Sequence, residues 1–199
     1  MGDVNLGAER VGEKFTNTYG TVFQIISYNT ANDLMVRFLD GNGYETHATY
    51  QTCKRGNCKN PYDKIVCGIG YLGVRSNGSV PITSVVIDGK RKHTKEYIAW
   101  YNMMDRCYNE KTLEKHPTYR ECYVDESLHC YAYFLDHIHE IDGYELLNDN
   151  DKIELDKDIK CAGNKVYSLH TCTFVPKRDN AKEVAKRIGL GTQIRAKTS

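Results

Sequence analysis

The sequence predicts an α+β protein, and three observations carry that prediction. Strand-length apolar runs at residues 22–26 and 34–39 alternate with turn residues in the first quarter of the chain. Apolar side chains at three- and four-residue steps begin at Tyr97 and mark a helix. The last quarter returns to two short strands, one opening at Leu155 and one at 172–175, followed by a basic helical stretch over 177–188. The expected organisation is a small antiparallel β module with its connector over 1–64, then a central region of β-strands and two helices over 65–140. A C-terminal segment over 141–199 carries the two strands, the basic helix and a tail.

With 199 residues the chain forms one large domain or two to three small ones. No stretch approaches the roughly 20 apolar residues of a membrane helix, so a soluble, cytoplasmic protein with no membrane partner is expected. Met1-Gly2-Asp3-Val4-Asn5 has neither a basic start nor an apolar run, which argues against a secretory leader and for reduced thiols. The eight cysteines contain no Cys-x2-Cys knuckle, only Cys53-x4-Cys58 and scattered others, a poor fit to structural Zn2+.

Near-neutral composition, 27 Lys+Arg against 26 Asp+Glu, conceals segregation along the chain. Residues 90–120 carry 8 basic and 4 acidic side chains, 121–164 carry 3 and 12, and 165–199 carry 8 and 2. An acidic block between basic flanks suits carboxylates that hold a cation beside a bound polyanion, and equally suits a solvated acidic loop region.

Taken in order, residues 11–50 read as a three-stranded meander, with turns at Asn29-Thr30-Ala31-Asn32-Asp33 and Asp40-Gly41-Asn42-Gly43 and a third strand over 44–50. Residues 51–64 look like a basic connector whose Lys54, Arg55 and Lys59 could meet phosphates. Two or three short strands are expected over 65–87, ending at Asp88-Gly89; Gly68-Ile69-Gly70 is no dinucleotide fingerprint, because no helix follows it. From Thr94 a helix buries Tyr97, Trp100, Tyr101, Met104 and Tyr108, and a second is expected over 125–139 on Leu128, Tyr131, Phe134, Leu135 and Ile138.

Strand, loop, strand, then helix, with Asp156 and Asp158 at the front and Asn164 in the loop, is the layout of a ββα-metal motif. Here the sequence resembles the phage-borne HNH endonuclease-like proteins. The resemblance extends in order through Lys54-x-Gly56-Asn57-x-Lys59-Asn60-Pro61-Tyr62, Gly68-Ile69-Gly70-Tyr71-Leu72-Gly73, Trp100-x-x-Met103 with Arg106-Cys107-Tyr108, and Lys115-His116-Pro117-Thr118-Tyr119. It continues through Leu155-Asp156-Lys157-Asp158-Ile159, Gly163-Asn164-Lys165-Val166-Tyr167-Ser168 and Thr171-Cys172-x-Phe174-Val175-Pro176.

That resemblance implies double-stranded DNA as partner, a divalent cation (Mg2+ or Mn2+) and phosphodiester hydrolysis in a phage host's cytoplasm. Carried over, Asp156 takes the first metal carboxylate's place, Asn164 the central Asn, and Thr171 falls near the second ligand, with Asp158 beside the ion. Lys157 stands where an active motif places its general-base His, and an ammonium with an ordinary pKa near 10.4 cannot accept water's proton at pH 7. Two rescues fit the resemblance: His170 reaches the ion or the water across the ribbon, or Lys157 contacts the scissile phosphate. Lys177, Arg178, Lys182, Lys186 and Arg187 would grip the backbone. A second register, Asp136-His137-Ile138 with Asn148, mimics the motif's start but falls at the end of a helical stripe. The two function classes expected are therefore a metal-dependent DNA endonuclease and a DNA-binding or protein-interaction module that keeps the frame without cutting.

Overall fold

The computed structural model describes residues 9–148 and 152–177 and divides the chain between Ile65 and Val66 into two compact units. Both strands and helices are present, so the mixed α+β expectation stands in that coarser form. No helix among the described residues is long and apolar enough to cross a membrane.

In the first unit, β1 (Lys14–Thr16), β2 (Val22–Thr30), β3 (Asp33–Phe38) and β4 (Glu45–Ala48) form one antiparallel sheet in chain order. Strand β1 joins the three expected strands at an edge, pairing Phe15 with Phe23. Period-two alternation explains the sheet's sidedness: Phe23 and Ile25 on β2 and Leu34, Val36 and Phe38 on β3 are buried.

Residues 51–64, expected as the connector of this module, fall within the first unit. Thr49 caps a short helix, α1 (Tyr50–Lys54), by accepting from the Thr52 amide at 3.1 Å. Cys53 and Cys58 then enter the core against the sheet, because a buried thiol behaves as a small apolar group. Buried Asp63 accepts from Asn17 at 2.7 Å and from Thr21 at 2.5 Å, tying the segment's end to the β1–β2 turn. Gly56 sits at φ +65, and a Cβ there would lie 2.8 Å from the Thr16 carbonyl, so the approach requires glycine.

The second unit is built around α2 (Lys95–Tyr108), whose N-cap Thr94 accepts from the Tyr97 amide at 3.2 Å. Its inward stripe is Trp100, Met103, Met104 and Cys107, while Tyr101, expected inside, is exposed. Asn109 ends α2 and caps α3 (Glu110–Lys115). The expected strands of 65–87 reduce to β5 (Ser84–Ile87), which pairs with an unanticipated β6 (Lys90–His93) as a two-stranded ribbon. Left-handed residues at Cys67, Gly68 and Gly73 turn the chain too often for earlier strands to run.

The helix expected over 125–139 is interrupted. A 3-10 turn at Glu126–His129 stops at Cys130, which is extended (φ −87, ψ 114), and α4 (Tyr131–His137) begins anew before a second 3-10 turn at Ile138–Glu140. The cause is tertiary: the Tyr71 amide donates to the His129 carbonyl, and the Tyr71 carbonyl accepts from the Tyr131 amide, holding Cys130 in a bridge. Gly73 packs under it, where a Cβ would collide with Cys130 Sγ.

Two further pairs complete the unit, β7 (Tyr123–Val124) parallel with β9 (Val166–Tyr167) and β8 (Ile153–Asp156) antiparallel with β10 (Thr173–Pro176). Leu155 opposite Phe174 turns that ribbon's apolar face into the core that holds Trp100, Tyr131 and Phe134. Residues from both sides of position 140 thus share one core.

Candidate functional site

The loop from Asp156 to Cys172 joins β8 to β10, and its shape is set by side chains that bond back to their own backbone. Asp156 Oδ1 accepts from the Asp158 amide at 2.6 Å and the Ile159 amide at 2.8 Å, the turn an aspartate makes with residues two and three ahead. Oδ2 takes no hydrogen bond among the described residues. Asn164 staples the loop: its Nδ2 donates to the Lys157 carbonyl (2.9 Å) and the Val166 carbonyl (2.7 Å), and its Oδ1 accepts from the Val166 amide. Thr171 Oγ1 donates to the Val166 carbonyl at 2.7 Å and accepts from the Ser168 amide at 3.1 Å.

Lys157 is the most informative residue. It is only 5% exposed, its Nζ donating to Asp158 Oδ2 at 2.8 Å and to the Asn164 carbonyl at 2.9 Å. Its ammonium also lies 5.8 Å from the Tyr167 ring centroid. Burial pulls the lysine pKa down, but the hydrogen bond and charge of Asp158, with the nearby Asp156 carboxylate, prevail and hold it above the ordinary value. The side chain that the resemblance sets in a general base's place is therefore held as an ammonium.

The sequence candidates are thus only partly brought together. Lys157, Asp158 and Asn164 meet directly, and Asp156 and Thr171 each close a turn of the same loop. His170 is exposed, and its carbonyl accepts from Lys160 Nζ at 3.3 Å. In the other register, Asp136 accepts from Arg75 Nε at 2.6 Å and from the Ser76 amide, and His137 pairs with Glu140. Both pairings sit at the end of α4 and hold the chain end of a helix.

Among the described residues no three His, Cys, Asp or Glu side chains gather as a metal group. The donors at the loop fit a divalent ion poorly: Asp156 Oδ1 is committed to two amides, Asp158 to the Lys157 ammonium and the Thr171 hydroxyl to its turn. Asp156 Oδ2 lies beside a buried positive charge, and a cation needs several oxygens turned toward it. All eight cysteines are thiols; Cys53 and Cys58 stand 3.7 Å apart with no third ligand beside them among the described residues.

Of the expected phosphate contacts, Lys54, Arg55 and Lys59 are exposed on the first unit and Lys177 on the second, where it meets Glu154 Oε1 at 3.2 Å. Arg178, Lys182, Lys186 and Arg187, with the helix assigned to 177–188, lie outside the described residues. Sequence reasoning missed Arg106, whose Nη1 donates to the Leu155 carbonyl at 3.0 Å and so anchors β8 to α2. Arg106, Lys115, His116 and Lys177, opposed by Asp105 and Glu154, line an open cleft of about 600 Å3 beside that strand. Lys115 and His116 belonged to a quoted motif, but only the packing of α2 against β8 places them beside Arg106. Comparison with protein-family models, curated proteins and solved structures finds no match to this chain.

Proposed function

We propose that the chain is a double-stranded DNA-binding protein that keeps an HNH-like frame in its C-terminal part and uses it to hold structure and backbone contacts rather than to cut. One observation carries this reading: the position of the general base holds Lys157, buried, doubly hydrogen-bonded and charged. A lysine so held takes no proton from water, and its charge opposes a divalent ion at Asp156. The ordered resemblance to phage-borne HNH endonuclease-like proteins supports DNA as the partner, and Lys115, exposed in the cleft beside Arg106, supplies a cation suited to a phosphate.

A second reading, metal-dependent phosphodiester hydrolysis, is favoured by the spare Oδ2 of Asp156 and by the exposed His170 on the same loop. Supercoiled plasmid incubated with Mg2+, Mn2+ or EDTA separates the two. Retardation on a gel with no nicking in any lane supports the binding protein. Nicking that requires metal and vanishes in Asp156→Ala overturns it in favour of the endonuclease. Nicking gained only in Lys157→His shows that the frame is intact and lacks a base.

A further inference from the structure

The ribbon β5–β6 leaves both of its faces exposed. Among the described residues its strands pair with no other strand, and they meet in the register Ser84 to His93, Val85 to Lys92, Val86 to Arg91 and Ile87 to Lys90. Directly paired residues share a face, so Val86 and Arg91 lie on one side and Val85, Ile87, Lys90 and Lys92 on the other. Both sides are open: Val85, Val86 and Ile87 are 41%, 72% and 46% exposed, and every residue of β6 is exposed. Asp88-Gly89, both at positive φ, makes the two-residue turn that matches strand twist.

An isolated two-stranded ribbon is marginal in water, yet this one is pinned at its root. The Thr94 amide donates to the Thr83 carbonyl at 3.1 Å, Thr94 caps α2, and the His93 ring lies 4.9 Å from Tyr97. The tip is thus presented by a buried helix, while its β-branched residues contribute nothing to a core. Val85 and Ile87, side by side on one face, form a small exposed apolar patch of the kind that marks an interaction site.

Resting on the DNA-binding reading above, we infer that this ribbon is the element that enters the major groove of B-form DNA. Charge selects the occupant: Lys90, Arg91 and Lys92 face one anion, Asp88, at the turn. Pairing with a second copy would set these cations against their equals, which is how lysine-bearing edges resist self-association. Size agrees, because four-residue strands span about 13 Å and lie about 5 Å apart, within a groove about 12 Å wide that admits a two-stranded ribbon. Valine and isoleucine suit thymine methyl groups, arginine suits guanine, and lysines reach the flanking phosphates. The deep, narrow major groove of A-form RNA excludes the same ribbon.

The test is fluorescence anisotropy with a 30-bp mixed-sequence DNA duplex across a salt series, comparing the full chain with the triple variant Lys90→Gln, Arg91→Gln, Lys92→Gln. All three side chains are exposed, so the variant's melting and Trp100 emission stay those of the parent. The expected result is at least a tenfold weaker Kd at 100 mM salt and a log Kd against log salt slope shallower by about 2, near 0.9 for each of the two lysine–phosphate contacts. Parent and variant binding with one affinity and one slope would overturn the ribbon's role while leaving DNA binding intact. A parent that fails to bind the duplex defeats both readings. Equal binding of an RNA duplex of the same sequence overturns the major-groove assignment.

Discussion

Removing the Lys157 ammonium while keeping its apolar stem isolates what the buried charge does. In Lys157→Met, Asp158 Oδ2 and the Asn164 carbonyl each lose a donor, at 2.8 and 2.9 Å. A hydrogen bond to a charged group contributes about 1.5 to 3 kcal/mol, and stripping one partner from a buried pair destabilises by about 3 to 5. Here the Asp158 side chain is 30% exposed, so water recovers part of its solvation. The expected loss is therefore roughly 2 to 3 kcal/mol, or about 6 to 12 °C in Tm for a unit of this size. Trp100, the chain's single tryptophan, is fully buried in the second unit, so its emission during urea unfolding at pH 7 reports that unit's stability. The double variant Lys157→Met, Asp158→Ala should recover about 1 to 2 kcal/mol relative to additivity. A single-variant loss under about 0.5 kcal/mol would refute a structural ammonium at this position.

Three more outcomes are expected. Asn164→Ala removes three hydrogen bonds that hold the loop and should destabilise the second unit by about 2 kcal/mol in the same unfolding assay. The amide of Ser76, and after it Arg75, lower the Asp136 pKa, so that carboxylate's stabilisation is present above its unfolded value of 3.8 and lost as pH falls below it. Melting curves from pH 6 to pH 2.5 should accordingly fall less steeply for Asp136→Asn than for the parent. Cys161 is the one exposed cysteine among the described residues, so brief iodoacetamide treatment followed by peptide mass mapping should label it well before the buried Cys53, Cys107 or Cys172.

Periodicity made much of this architecture legible. The alternation of Phe23 and Ile25 against Leu34, Val36 and Phe38 encodes a one-sided sheet, and Thr94 before a run containing Trp100, Met103 and Met104 encodes a capped helix. Both patterns act through neighbours a few residues apart, so local chemistry suffices. The interruption at Cys130 was not legible, because a helical stripe continues through it and Tyr71, 59 positions earlier, imposes the break. The ribbon strand 90–93 was hidden for a related reason: Lys-Arg-Lys-His has no apolar alternation, and only its pairing with Ser84–Ile87 makes it a strand.

At the loop, the sequence alone determined that Asp156, Lys157, Asp158 and Asn164 lie within nine positions of one another. What those side chains do was decided in three dimensions. Asp156 turns onto its own amides, Asn164 stitches two carbonyls, and Lys157 is buried against Asp158. A sequence states which groups are present; whether a carboxylate faces a cation, an amide or water depends on which backbone donors the fold brings within about 3 Å of it.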